Sequence, residues 1–399
     1  MIKQTNRVWR WGTGAILLLG VLCQSLLWNA PSPVLPKILS DLGIDLARGG
    51  MISSVICLVL STFALCFDRL GERMQAKYLF LTGLVIMAAS QILLRFTAGY
   101  WDLLFCRAFT GVGMGICTPV YAVVVMEEFP EEERPLINTL YAILPYLASF
   151  LGLSLAAPLL RLSNGDWRQV MLYYGLFTAV IALLWGLTTR RMRGTAAGQK
   201  ETQTGLIRTV ITNRACRLLC LADLCDMWGY NCLTAFLPSY FQLEAGMSLE
   251  ESAALTAIFP VTGIVAGLSC GALMTRLGLR KPFTWPMHLM IFFGTILLVV
   301  GTGPVRIAGI VLAGFGNAGW APALYTIPME LEGITPLRAG AVFALMLAMG
   351  YLAAFFSPLV GGWIGDRASL RTALLINSIA ALLAALFTAL MRETGPAKK

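Results

Sequence analysis

Apolar runs of about 20 residues recur from one end of the chain to the other, separated by short polar stretches. About 20 mostly apolar residues suffice for a helix to cross the hydrocarbon core of a bilayer. The runs predict twelve spans, near 12–36, 50–67, 78–95, 102–126, 136–160, 169–188, 216–241, 252–274, 283–302, 305–328, 338–359 and 371–391. The loops between them are too short for a separate soluble domain. The longest polar stretch, 189–214, lies at mid-chain and contains Arg190, Arg191, Arg193, Gly194, Gly198 and Lys200. It reads as a cytoplasmic linker between a six-helix bundle at 1–188 and a second at 215–399. The fold class expected is an all-α polytopic membrane protein of two pseudo-symmetric six-helix bundles.

Composition agrees: 57% of the 399 residues are hydrophobic and 13% charged, about half the charge of a soluble domain. That excludes a soluble enzyme, a disordered chain and a nucleic-acid-binding domain. The net charge of +9 is scattered between apolar runs and forms no recognition patch. The ten cysteines form no paired CxxC motifs and one histidine is too few for a Cys/His zinc site, so the cysteines read as small buried apolar residues.

Charge placement sets topology. With an even number of spans and a cytoplasmic N-terminus, about 21 of the 30 Lys and Arg residues fall on the inside, as the positive-inside rule requires. Both termini are therefore expected in the cytoplasm of a multi-pass protein of the inner or plasma membrane. The apolar stretch after Lys3, Arg7 and Arg10 is too long for a signal peptide and is read as a retained first span. The acidic stretch Glu127, Glu128, Glu131, Glu132 and Glu133 reads as a solvated loop, and Trp9, Trp11 and Trp101 as interfacial belt residues.

The loop after the second span reads Ala64-x-x-x-Asp68-Arg69-x-Gly71-Glu72-Arg73, and the loop after the eighth reads Gly271-x-x-x-Thr275-Arg276-x-Gly278-x-Arg280-Lys281. Matching loops six spans apart indicate a duplicated bundle. The fourth span adds Arg107-x-x-x-Gly111-x-Gly113-x-Gly115, and Asp166-Trp167-Arg168 precedes the sixth. Together these motifs resemble the major facilitator superfamily along the whole chain, with departures at Ala64, Glu72 and Thr275. Asn29-Ala30-Pro31-x-Pro33-x-x-Pro36 is loosely similar to uptake carriers of the cyanate-permease type, although Ala30 stands where those carriers have Arg. The span-five signature of the family's antiporters is absent. The resemblance implies that Asp68, Arg69, Gly71 and Arg73, with Arg276, Gly278, Arg280 and Lys281, act as cytoplasmic gate residues. It also associates Arg107 with proton coupling or anion contacts; the residue's other reading is a bundle lock made through carbonyls of neighbouring helices. The glycines of its motif read as packing surfaces.

A charged side chain at mid-span costs about 2.5–3.5 kcal/mol on insertion scales, which makes Arg107, Asp223 and Asp226 functional candidates. Asp226 lies about nine residues into span seven, ~14 Å along the helix axis, with Asp223 one turn towards the cytoplasm. Asp223, Asp226 and Tyr230 share one stripe. Buried carboxylates, each penalised when charged, are suited to holding a proton and releasing it on exposure to water. The other reading of this stripe is structural capping or pairing. His288, the single histidine, is a fourth candidate because an imidazole titrates near pH 6.5, but on a peripheral span it reads rather as a packing- or lipid-facing residue. The inner helices one, four, seven and ten, together with span five, supply a candidate substrate-binding set: Gln24, Trp28, Asn29, Tyr121, Tyr141, Tyr146, Trp228, Tyr230, Asn231, Asn317, Trp320 and Tyr325. Aromatic walls with a few amides suit a small organic solute better than a bare metal ion.

The function expected is secondary active transport of such a solute by alternating access, by a monomer, with a proton as coupling ion and no other cofactor. The favoured direction is uptake by symport; proton-coupled efflux of drugs or metabolites is the alternative. Asp223-x-x-Asp226 also has the spacing of aspartate pairs that hold magnesium diphosphate in intramembrane prenyltransferases, but no second acid-rich motif lies within a span. No nucleotide-binding loop is present, and no nucleic-acid partner is implied.

Overall fold

The computed structural model describes residues 7–65, 75–130, 133–189, 213–330 and 336–397. Among them the chain is helical and carries no β-strand: α1 (Arg7–Asn29), α2 (Leu35–Leu42), α3 (Leu46–Leu65), α4 (Ala76–Leu93), α5 (Tyr100–Glu128), α6 (Arg134–Leu162), α7 (Trp167–Thr189), α8 (Arg214–Leu243), α9 (Leu249–Leu277), α10 (Trp285–Val300), α11 (Gly303–Gly319), α12 (Ala321–Glu330), α13 (Pro336–Arg367) and α14 (Leu370–Ala389). With α2 continuing the first span and α11–α12 forming one, these make twelve membrane-spanning elements. Nine segments are long and apolar enough to cross a membrane among the described residues.

Two expected spans are interrupted. The first helix ends at Asn29 rather than continuing to 36, because Pro31 and Pro33 bring no N–H to the helix ladder. The tenth breaks at Trp320. Pro322 has no N–H for the Ala318 carbonyl, which takes the Trp320 amide instead, and the chain restarts as α12. Elsewhere the ends are capped by local side chains. Asn213 accepts from Ala215 and Cys216 N–H at the start of α8. Ser248 and Glu251 form a capping box at α9, and Gly278 closes that helix at φ 64°, a conformation costly for residues with a Cβ.

The chain clusters as two compact units, residues 1–43 with 55–200 and residues 44–54 with 201–399. Residues 44–54 group with the second unit, where the Asp366 carboxylate at the end of α13 accepts from Leu46 and Ala47 N–H at 2.8 and 2.9 Å. It meets the positive end of α3 with negative charge.

Each unit uses the same packing device. In the first, Gly111 faces α3, where an added Cβ would lie 2.9 Å from the Ile56 oxygen. Gly113 faces α4, where it would lie 2.6 Å from the Gly83 oxygen. In the second, Gly314 faces α9, 2.5 Å from the Phe259 oxygen, and Gly316 faces α10, 3.0 Å from Ile291. Two glycines two residues apart point to nearly opposite sides of a helix, so one short motif lets two neighbours approach at backbone distance.

Candidate functional site

In the first unit, Pro31 cannot donate to the Leu27 carbonyl, its partner in a continued helix. Arg107 of α5 supplies the missing donor: Nη1 bonds Leu27 O at 2.7 Å and Nη2 bonds Trp28 O at 3.1 Å. The side chain is fully buried. A cation at a helix C-terminus also meets the negative end of the macrodipole. This geometry is the carbonyl-bonded arrangement, one of the two readings the sequence left open for Arg107.

The other first-unit candidates sort by environment. Gln24 is buried and accepts from Thr118 Oγ1 at 3.3 Å. Tyr121 and Tyr141 stack with centroids 4.1 Å apart, and the Tyr121 hydroxyl donates to Ile137 O. Asn29 bonds within its own helix, to Ser25 O. Trp28 and Tyr146 are half-buried. The expected solvated acidic loop is partly structured: Glu127 and Glu128 belong to the last turn of α5, and Glu133 receives a two-pronged hydrogen bond from Arg10, at 2.7 and 3.0 Å. Bidentate guanidinium geometry holds the carboxylate where a solvated loop would leave it loose.

In the second unit, Asp223 and Asp226 are both buried on α8, at 5% and 4% exposure, and Tyr230 is half-buried on the same stripe. Among the described residues no Lys or Arg pairs with either carboxylate. Asp226 meets His288 instead, Oδ1 lying 3.6 Å from Nδ1. The imidazole is fully buried and rests 4.5 Å from the Trp320 ring, centroid to centroid. His288 is therefore not lipid-facing. The break at Trp320 brings the indole to this place, and the indole also partners the Asp226 carboxylate. One turn further along, a small closed cavity is lined by Tyr230, Phe259, Thr295, Asn317, Asn377 and Ser378. Trp228 donates to Asn377 at 2.7 Å and Asn231 bonds its own helix at Met227 O. Tyr325 differs from the rest of the set: it is 56% exposed, whereas Trp320 is 1% exposed.

Sequence reasoning missed one participant, Asn377, and set aside another, His288. Asn377, on the last helix, was visible only as a polar residue inside an apolar run. His288 had no pattern around it; its partner is 62 residues away in the chain.

Of the gate candidates, Asp68, Arg69, Gly71 and Arg73 lie outside the described residues. Arg276 is exposed beside the Gly278 cap. Arg280 is buried and ties three elements: it bonds Glu330 at 2.7 and 3.0 Å and Met274 O at 3.0 Å. Glu393 accepts from the main-chain N–H groups of Arg280 and Lys281. The hydrogen bonds to Glu330 push the guanidinium pKa up, against the effect of its burial. Before α7, Arg95 pairs with Asp166, Trp167 donates to Asp41, and Arg168 lies over the Trp167 ring. The nine described cysteines are all buried and free.

Two six-helix halves with doubled glycine motifs define a polytopic carrier fold. The sequence profile of the Major Facilitator Superfamily matches residues 17–333, and the chain belongs to that family, whose members are transporters and not enzymes. It is 24% identical to a gallate transporter of Pseudomonas putida, over 82% of this chain and 80% of that protein. It is also 24% identical to a 4-hydroxybenzoate transporter of Pseudomonas aeruginosa, over 90% and 86%. In fold it is similar to a bacterial homologue of the human lysosomal transporter Spinster in an inward-facing, unoccupied conformation. The TM-score is 0.83 at 14% identity, with 96% of this chain and 97% of that chain covered. The prenyltransferase reading of the aspartate pair falls with the family assignment.

Proposed function

We propose that this protein is a secondary active carrier that takes up a small aromatic carboxylate together with a proton. It works as a monomer in the cell membrane with both termini in the cytoplasm, where the excess of Lys and Arg points. The observation that carries the reading is Asp226: a carboxylate 4% exposed, at mid-helix, with Asp223 one turn away and no basic Lys or Arg partner among the described residues. A carboxylate so placed is costly as an anion and far less so when protonated, so its occupancy by a proton follows its access to water. Alternating access supplies that switch. The substrate class is supported by the gallate and 4-hydroxybenzoate transporters among the relatives. The stacked Tyr121–Tyr141 pair offers the kind of flat surface on which an aromatic ring stacks. A monoanion carried with one proton moves no net charge, so the pH gradient alone drives it, at about 1.4 kcal/mol per pH unit.

Proteoliposomes with an acidic exterior test this. Radiolabelled 4-hydroxybenzoate accumulates, a protonophore abolishes accumulation, and Asp226→Asn retains solute counterflow while losing the response to the gradient. Accumulation indifferent to pH, or a gradient response intact in Asp226→Asn, overturns the proton role. Accumulation only with an acidic interior identifies efflux instead of uptake.

A further inference from the structure

We infer that His288 and Asp226 form a single proton-holding pair inside the second unit, with His288 as a coupling residue for transport. The inference rests on the proton-coupled reading above and adds to it a residue for which the sequence favoured a packing- or lipid-facing role. Its first support is geometric. The imidazole is fully buried, and neither Nδ1 nor Nε2 has a hydrogen-bond partner. A neutral imidazole always carries one donor and one acceptor, so an orphaned ring in an apolar interior is unfavourable unless a neighbour meets it. Among the described residues, the acid beside it is Asp226, 3.6 Å away.

Each partner removes the other's difficulty. With one proton between them, placed on Nδ1 or on Oδ1, the pair has no net charge and a hydrogen bond is available to both groups. A second proton leaves the pair cationic, and loss of the first leaves it anionic. Both charged states are disfavoured in an apolar interior, so uptake and release of the proton are tied to opening of the site to water. The two groups titrate as one unit.

Among the described residues, Asp223 is the other carboxylate at mid-span, and the remaining charges of the packed helices stand at helix ends. On the helices packed against α10, Arg306 stands in the first turn of α11 and Arg371 in the first turn of α14. Lys281 precedes α10 itself. The helices packed against α8 carry their charges at their ends: Glu250, Glu251 and Arg276 on α9, Glu330 on α12, and Arg338, Asp366 and Arg367 on α13. On α8 itself Arg214 and Arg217 stand in the first turn, and the other titratable groups along these spans, among the described residues, include Asp223, the thiols of Cys220, Cys225, Cys232 and Cys270, and the phenols Tyr230 and Tyr351. The closed cavity one turn from the pair is lined by Tyr230, Asn317 and Thr295.

Because His288 is the only histidine, labelling the protein with ¹⁵N-histidine gives one imidazole to observe, provided purification uses a tag without histidine. The expected result is the ¹⁵N pattern of a neutral imidazole that holds from about pH 5 to about pH 9, where a free imidazole would titrate, with an Nδ1 signal that moves in Asp226→Asn, which has no carboxyl proton to share. A signal that titrates near pH 6.5 as a free imidazole does, or an Nδ1 signal that Asp226→Asn leaves in place, overturns the pair. The transport readout is His288→Gln in 4-hydroxybenzoate proteoliposomes, with correct folding shown by a single size-exclusion peak. Counterflow persists while gradient-driven accumulation falls at least about ten-fold. If Asp226→Asn loses the gradient response and His288→Gln keeps it, the pair is wrong and the carrier reading stands. If the wild type ignores the gradient, the proton-coupled reading itself fails, and the ¹⁵N titration still decides whether the two residues share a proton.

Discussion

Arg107 Nη1 bonds the Leu27 carbonyl at 2.7 Å, the oxygen that Pro31 leaves without an N–H. An apparent liability, a fully buried arginine at the heart of a membrane bundle, is explained by a second one, a proline at the end of the first helix. Each makes the other tolerable.

Arg107→Ala removes two hydrogen bonds to otherwise unpaired carbonyls and is expected to destabilise the protein by about 2–5 kcal/mol. The measurement is thermal unfolding in detergent. Pro31→Ala restores an amide at the position that Leu27 O lacks, so the double variant should lose less than Arg107→Ala does alone. Equal losses would show that Arg107 serves something other than this helix end.

Gly113 and Gly294 sit where an added Cβ would meet main-chain atoms, the Gly83 oxygen at 2.6 Å and the Ala313 nitrogen at 2.5 Å. Gly113→Val and Gly294→Val are expected to cut the yield of monodisperse protein severely. Gly12→Ala, where nothing lies within 4 Å, should be neutral or stabilising by about 0.5–1 kcal/mol. Size-exclusion profiles compare all three, and tolerance of both valines would refute the close crossing.

Glu393 is a pH-sensitive tie. Burial pushes its pKa up, but the main-chain N–H groups of Gly395, Lys281, Arg280 and Thr394 outweigh burial and hold it below the ordinary 4.5. A carboxylate depressed in the folded state adds stability above its unfolded pKa and loses it as pH falls through the folded value. Melting temperature should therefore drop on acidification below about pH 4.5, and Glu393→Gln should remove that part of the drop while lowering stability at neutral pH. An identical acid profile in the variant would exclude the tie.

Arg280→Lys keeps the charge and loses the fork that grips Glu330. A point charge cannot reproduce both bonds and the third to Met274 O, so the variant should melt below wild type by roughly 1–3 kcal/mol. Equal stability would mean that the charge alone suffices.

The sequence by itself determined the number and placement of spans, the family and the duplicated halves. These rest on local, linear features: an apolar run long enough for the bilayer, a glycine every second residue, a basic loop. It also picked out the stripe of Asp223, Asp226 and Tyr230, because residues three and four apart share a helix face whatever surrounds them. What the tertiary structure decided was who meets whom. Arg107 finds the Leu27 carbonyl 80 residues away, Trp228 finds Asn377, and the break at Trp320 turns its indole onto His288. No local pattern encodes such pairs, since they depend on how helices distant in the chain are set side by side. His288 looked like packing material when only its own helix was considered, and it became a candidate proton carrier once α8 placed a carboxylate 3.6 Å from its ring.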